Sequence, residues 1–161
     1  MTIPRTAGQV QMYYNHKPSH YRYKLQDIPN EPLYPFGFGL SYTTYEYSDL
    51  ELSKSEISAN ENIEVSVTVK NTGSRDGVEI AQLYIRDCIS FVTRPVKELK
   101  GFKRVALKVG ESKRISFTLT PEQLRYYNLD MERVVEPGEF KVMVGPSSRT
   151  KELLTASFIV K

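Results

Sequence analysis

From Ser48 onward the chain alternates apolar and polar positions in short stretches separated by turn residues, the pattern of antiparallel strands with one buried face. Ile63, Val65, Val67 and Val69 share one face while Glu64, Ser66, Thr68 and Lys70 share the other, and Asn71-Thr72-Gly73 ends that strand. The same period recurs at Ile115, Phe117, Leu119; at Phe140, Val142, Val144; and at Leu154, Ala156, Phe158, Val160, each supplying one face to a common core. Val78 to Arg86 differs. It is apolar at nearly every position, including Ile80, Ala81, Leu83, Tyr84 and Ile85, so a central strand covered on both faces is expected.

Parity changes near Ser48, with Tyr45 and Tyr47 on one face and Leu50 and Leu52 on the other, which a bulge at Ser48-Asp49 would reconcile. Thr120-Pro121-Glu122-Gln123 places a capping threonine before a proline at the first helical position and a glutamine at the third, predicting one helical turn to about Tyr126. About seven strands with little helical periodicity match an all-β, immunoglobulin-like or fibronectin-like antiparallel sandwich.

The first 43 residues are of another kind. Eight of the eleven tyrosines lie at or before Tyr47, and Pro18, Pro29, Pro32 and Pro35 interrupt any regular element. Thr6 to Asn15 has the pattern of one strand, through Val10, Met12 and Tyr14, without a ladder partner. The division expected is an irregular extension over 1–43 and a sandwich over 44–161. The segment Pro32 to Tyr45, rich in aromatic residues and glycine, is too apolar for a free linker and must dock on something.

Composition narrows the function classes. A chain of 161 residues, 40% hydrophobic and 25% charged, builds one ordinary core and a small appendage. Its formal charge of +3 comes from interspersed residues, and the one dense basic group, Lys97, Lys100, Lys103, Arg104 and Lys108, has the spacing of the wet face of a strand pair. Neither nucleic acid nor a membrane is expected as a partner, since no apolar run approaches the roughly 20 residues of a bilayer span. Thr2 to Val10 lacks the basic start and apolar middle of a signal peptide. The single cysteine, Cys88, is read as a buried small apolar residue.

Candidate chemistry is thin. Asp76 lies in a turn beside Gly77, Glu136 precedes Pro137-Gly138, and Glu61, Glu64 and Glu79 are expected on solvated faces, so no pair of carboxylates suited to glycoside cleavage is seen. His16 and His20 have the spacing of a helical metal pair, but Pro18 between them argues against the helix, and no metal or cofactor is expected. Gly37 and Gly39 alternate with Phe36 and Phe38 without a basic residue following, which suits close backbone approach rather than phosphate binding. The tyrosines offer a second reading, a glycan-binding platform. Against it, there is no tryptophan, and Tyr45, Tyr47 and Tyr84 fall in strands where packing accounts for them.

Markers in order along nearly the whole chain resemble the C-terminal part of glycoside hydrolase family 3. Ile3-Pro4-Arg5-Thr6-Ala7-Gly8-Gln9-Val10 with Tyr13-Tyr14-Asn15-His16-Lys17-Pro18 is similar to the last strand of that family's α/β domain, and Tyr23, Asp27 and Pro32 to Tyr42 to the linker and its approach. Asn71-Thr72-Gly73, Asp76-Gly77, Gln82-Leu83-Tyr84-Ile85, Arg94 to Phe102, Pro137 to Phe140 and Val144-Gly145 are similar to its fibronectin type III-like domain.

The resemblance implies a parent enzyme that removes terminal β-linked glucose with retention, through an aspartate in a Ser-Asp-Trp context on a barrel domain. No such motif occurs here, so no catalytic residue is carried over. It implies a structural role in a periplasmic or secreted enzyme, with the upstream catalytic domains as partner. Pro35, Phe36, Gly37, Phe38, Gly39, Leu40 and Tyr42 would be the docking string, and Arg94, Pro95 and Lys97 a secondary contact loop. An exposed N-terminal strand would also offer an edge for self-association.

Overall fold

The computed structural model describes residues 1–9, 12–18, 29 and 31–161. In chain order the elements are β1 (Tyr45–Leu52), β2 (Glu56–Ile57), β3 (Ile63–Asn71), β4 (Gly77–Asp87), β5 (Glu98–Leu107), β6 (Ser112–Leu119), the single-turn helix α1 (Pro121–Leu124), β7 (Tyr126–Tyr127), β8 (Arg133–Val134), β9 (Gly138–Gly145) and β10 (Leu154–Val160). One sheet has the order β1-β3-β6 and the other β2-β10-β9-β4-β5, with β7 and β8 forming a separate small pair. All pairings of the seven long strands are antiparallel, and the two-residue β2 joins β10 in parallel. The expected β-sandwich is present.

The core lies between the sheets. Ile63, Val65, Val67 and Val69 of β3 face Ala81, Leu83 and Ile85 of β4, with Phe117 and Leu119 of β6, Phe140 and Val142 of β9, and Phe158 and Val160 of β10 completing it. The rings of Phe140 and Phe158, cross-strand partners, stack at 5.5 Å. The bulge in β1 falls where the parity change places it, between Ser48 and Glu51, with Asp49 at φ 52°. That extra residue brings Tyr45, Tyr47, Leu50 and Leu52 all against the core.

Asn71 closes one end of the sandwich. Its Oδ1 accepts from the Thr43 hydroxyl at 2.7 Å and from the Gly73 amide at 3.1 Å, while Nδ2 donates to the carbonyls of Arg75 at 2.7 Å and Leu107 at 3.2 Å. One fully buried amide thus ties the approach to β1, the β3–β4 turn and the end of β5 together.

Several local expectations differ from the structure. The helical turn stops at Leu124 because Arg125 is already extended and Tyr126–Tyr127 pairs with β8. Val78 and Ile80 are open to solvent, so β4 is covered on both faces only from about Ala81 onward. Of the strand expected over Thr6 to Asn15, Val10 lies outside the described residues, and Met12 to Asn15 is irregular; the pairing found is a bridge between Ile3 and Tyr34. Cys88 is half-buried rather than buried, and burial raises its thiol pKa. Lys97 is buried, and Lys103, Arg104 and Lys108 are exposed without sharing one face, since Lys103 lies on the side of Val105 and over the Phe117 ring while Arg104 points the other way.

Glu79 is the sharpest difference. It sits on the core side of β4, in the same register as Ala81 and Leu83, and its Oε1 accepts from the Tyr47 hydroxyl at 2.7 Å. Burial holds its carboxyl above the usual carboxylate range, although the hydrogen bond from Tyr47 partly opposes this. The folded chain therefore holds this proton more tightly than the unfolded chain. The penalty is largest above the folded pKa and shrinks as pH falls through it. Tyr47→Phe should cost about 1–3 kcal/mol by removing the side-chain donor to that carboxylate and leaving it the Ile80 amide, and Glu79→Gln should raise stability at neutral pH and flatten its rise in mild acid. Denaturant unfolding of both variants at the two pH values checks this.

Candidate docking face

The outer face of the second sheet is not left to water. Along β4, Gln82 and Tyr84 point away from the sandwich core and yet are buried, as is Met143, the partner of Tyr84 on β9. Their cover comes from the irregular extension. The ring of Tyr14 meets Tyr84 edge-on at 5.8 Å, and Phe36 stacks on Tyr14 at 4.2 Å. Burying such rings contributes about 1.5–3 kcal/mol each.

Polar groups fix the position of this cover. Gln82, only 4% exposed, donates through Nε2 to the carbonyls of Gly37 at 2.9 Å and Pro146 at 2.6 Å, and its Oε1 accepts from the Tyr84 hydroxyl at 2.6 Å. Gly37 has φ +79°, and a Cβ there would stand 1.9 Å from Gln82 Oε1. Only glycine serves both the left-handed turn and the close approach. Gly39 by contrast meets nothing within 4 Å.

Ser148 joins the two regions singled out in the sequence. Its amide donates to the Phe36 carbonyl at 2.9 Å, and its own carbonyl accepts from Lys97 Nζ at 2.8 Å. Lys97 also donates to Thr150 Oγ1 at 2.8 Å, and burial alone lowers its pKa to about 8. The Val96 amide donates to the His16 carbonyl at 2.9 Å. Arg94 bonds Glu98 at 2.8 Å and lies over the Tyr126 ring at 4.5 Å.

The candidate residues thus divide. Pro35 and Phe36 face this chain's own sandwich, and Gly37 sits on Gln82. Arg94 and Lys97, expected to reach a neighbouring domain, turn inward instead, because the Ser148 carbonyl and Thr150 hydroxyl of the β9–β10 loop and the Glu98 carboxylate supply their partners. Pro95 between them is half-buried. Leu40 and Tyr42 point the other way, 92% and 93% exposed, and Leu33, Tyr34 and Phe38 are also open. His20, Tyr23 and Asp27 lie outside the described residues.

Sequence reasoning named Gln82 only within a family marker and gave it no role, although it carries the face. A signal was present: a lone amide inside Ile80-Ala81-Gln82-Leu83-Tyr84-Ile85 must find partners if both faces are covered.

The architecture of three strands packed on a larger antiparallel sheet, with its cross-sheet apolar core, defines an immunoglobulin-like sandwich. Residues 79–148 match the fibronectin type III-like domain family. The chain is 45% identical over its whole length to a β-xylosidase of Formosa agariphila and 41% identical over 94% of its length to a periplasmic β-glucosidase of Salmonella typhimurium, covering 23% and 21% of those proteins. It superposes with a TM-score of 0.93 and 40% identity on a β-glucosidase from Erythrobacter marinus, and with 0.88 and 40% on a β-glucosidase from Listeria innocua in complex with glucose. Each superposition covers 99% of this chain, and 21% and 23% of the respective structures. The chain corresponds to the C-terminal, fibronectin type III-like part of the glycoside hydrolase family 3 β-glucosidases and β-xylosidases. It spans about a fifth of the length of these relatives and is not their catalytic domain.

Gly37→Ala should cost about 1–3 kcal/mol and free the 33–38 segment, since strain and the clash with Gln82 add, whereas Gly39→Ala should change stability by less than about 0.5 kcal/mol. Thermal melts together with amide exchange over residues 33–38 distinguish the two.

Proposed function

We propose that this chain is a non-catalytic structural part of a periplasmic β-glucosidase-like enzyme. On this reading residues 1–43 are the end of the preceding α/β domain with its linker, and residues 44–161 are a sandwich that buttresses the upstream catalytic domains. The parent would remove terminal β-linked glucose with retention. The name of the Salmonella relative supports both the compartment and the sugar.

The observation that carries the buttressing role is the two-sided extension. Its inner residues, Pro35, Phe36 and Gly37, are held on the sandwich by Gln82 and Ser148, while Leu40 and Tyr42 follow within the same string and are almost wholly exposed. A string anchored on one side and apolar on the other can hold a neighbour at a set distance from the sandwich. Covering Leu40 and Tyr42 would contribute about 1.5–3 kcal/mol each.

In the full-length enzyme, Leu40→Ser with Tyr42→Ser should lower the melting temperature and the activity together, while the same pair in the isolated 161-residue chain should leave its melting unchanged. Unaltered melting and turnover of the full-length double variant would overturn the buttressing role. The isolated chain should hydrolyse no aryl β-glucoside.

A further inference from the structure

The cover over the second sheet is incomplete. It reaches Gln82 and Tyr84, and the same outer face of β4 continues toward the start of the strand without it. Cross-strand partners share a face, so Val78 with Ala106, Ile80 with Arg104 and Gln82 with Phe102 present their side chains together on this side. Val78 is 37% exposed, Ile80 41% and Phe102 68%, and Ala106 is open as well. Strand β9 adds nothing here, since its pairing with β4 runs only from Gln82 to Asp87.

The aromatic string is fixed at both ends of this half-face. Gln82 holds Gly37, while Thr43 bonds Asn71 and lies beside Gly77, where a Cβ would stand 2.7 Å from its methyl group. Residues 38–42, between these anchors, flank the Val78 to Ala81 part of β4, and Leu40 and Tyr42 among them are almost wholly exposed. Leu40, Tyr42, Val78, Ile80 and Phe102 therefore border one side of the molecule. Single apolar residues in water are ordinary on a monomer, whereas a set continuous with an anchored string has the character of an interface.

Charge narrows the occupant. Arg104 stands within the patch opposite Ile80, is exposed, and pairs with no carboxylate among the described residues. The register places no acidic residue of β4 or β5 on this half of the face, Glu79 being turned to the core. A second copy laid face to face would bring arginine toward arginine and offer no carboxylate, so the charge disfavours it. We propose that this half-face, together with Leu40 and Tyr42, seats the preceding α/β domain of the same enzyme, through a surface of that domain that is apolar and carries a carboxylate opposite Arg104. The choice of occupant rests on the buttressing role; the contact over β4 and β5 and the acidic partner go beyond it.

The test is hydroxyl-radical labelling of side chains, read by mass spectrometry, in the full-length enzyme and in the 161-residue chain. Labelling of Phe102 should fall at least about threefold in the full-length enzyme, as where an interface excludes water, and that of Val78 and Ile80 should fall with it. Equal labelling of Phe102 in the two forms would overturn the proposal. If Leu40 and Tyr42 are then still protected, the buttressing role stands without it; if they are not, both fail. Arg104→Glu, a change at an exposed side chain, should leave the melting of the 161-residue chain unaltered and raise Phe102 labelling in the full-length enzyme by at least about twofold. Protection indifferent to Arg104→Glu would overturn the acidic partner.

Discussion

Strand β4 buries side chains on both of its faces, and much of the molecule follows from that demand. Ala81, Leu83 and Ile85 fill the sandwich interior, where β3, β6, β9 and β10 meet them. Gln82 and Tyr84 on the other face need cover that no further sheet among the described residues provides. The irregular extension supplies it through Tyr14, Phe36 and Gly37. The extension is therefore part of the fold of this domain.

Apolar contact alone would hold such an extension loosely, because rings slide on a flat sheet at little cost. Direction comes from a small set of buried polar groups whose partners are complete. Gln82 bonds Gly37, Pro146 and Tyr84 at once, and Ser148 passes a backbone bond on each side, to Phe36 and to Lys97. Since each group would pay a desolvation penalty if its partner moved, the string has one favoured register. Asn71 does the same at the opposite end of β4, where the approach to β1 meets the β3–β4 turn.

Exposure reads in the reverse sense along the same string. Pro35 is buried and Phe36 half-buried, while Leu40 and Tyr42, a few positions later, are left almost bare. An isolated domain gains nothing from two large apolar side chains in water. Under the proposed function they would be the second side of a joint with the upstream domains.

The strands of the sandwich were legible in the sequence because alternation has a period of two and each register leaves only one way to bury Val65, Val67 and Val69. The bulge at Ser48-Asp49 was legible for the same reason, as a break in that parity. The inward turn of Lys97 and Arg94 was not, since a charged residue shows its burial only through partners supplied by distant strands and loops. Glu79 likewise reads as a solvated residue until Tyr47 arrives from the other sheet. By itself the sequence determined the sandwich, its core and the need for the aromatic string to dock. Only the tertiary structure decided that half of the string docks on its own domain, because hydrogen-bond partners are set by which backbones meet in space, and local pattern does not encode that meeting.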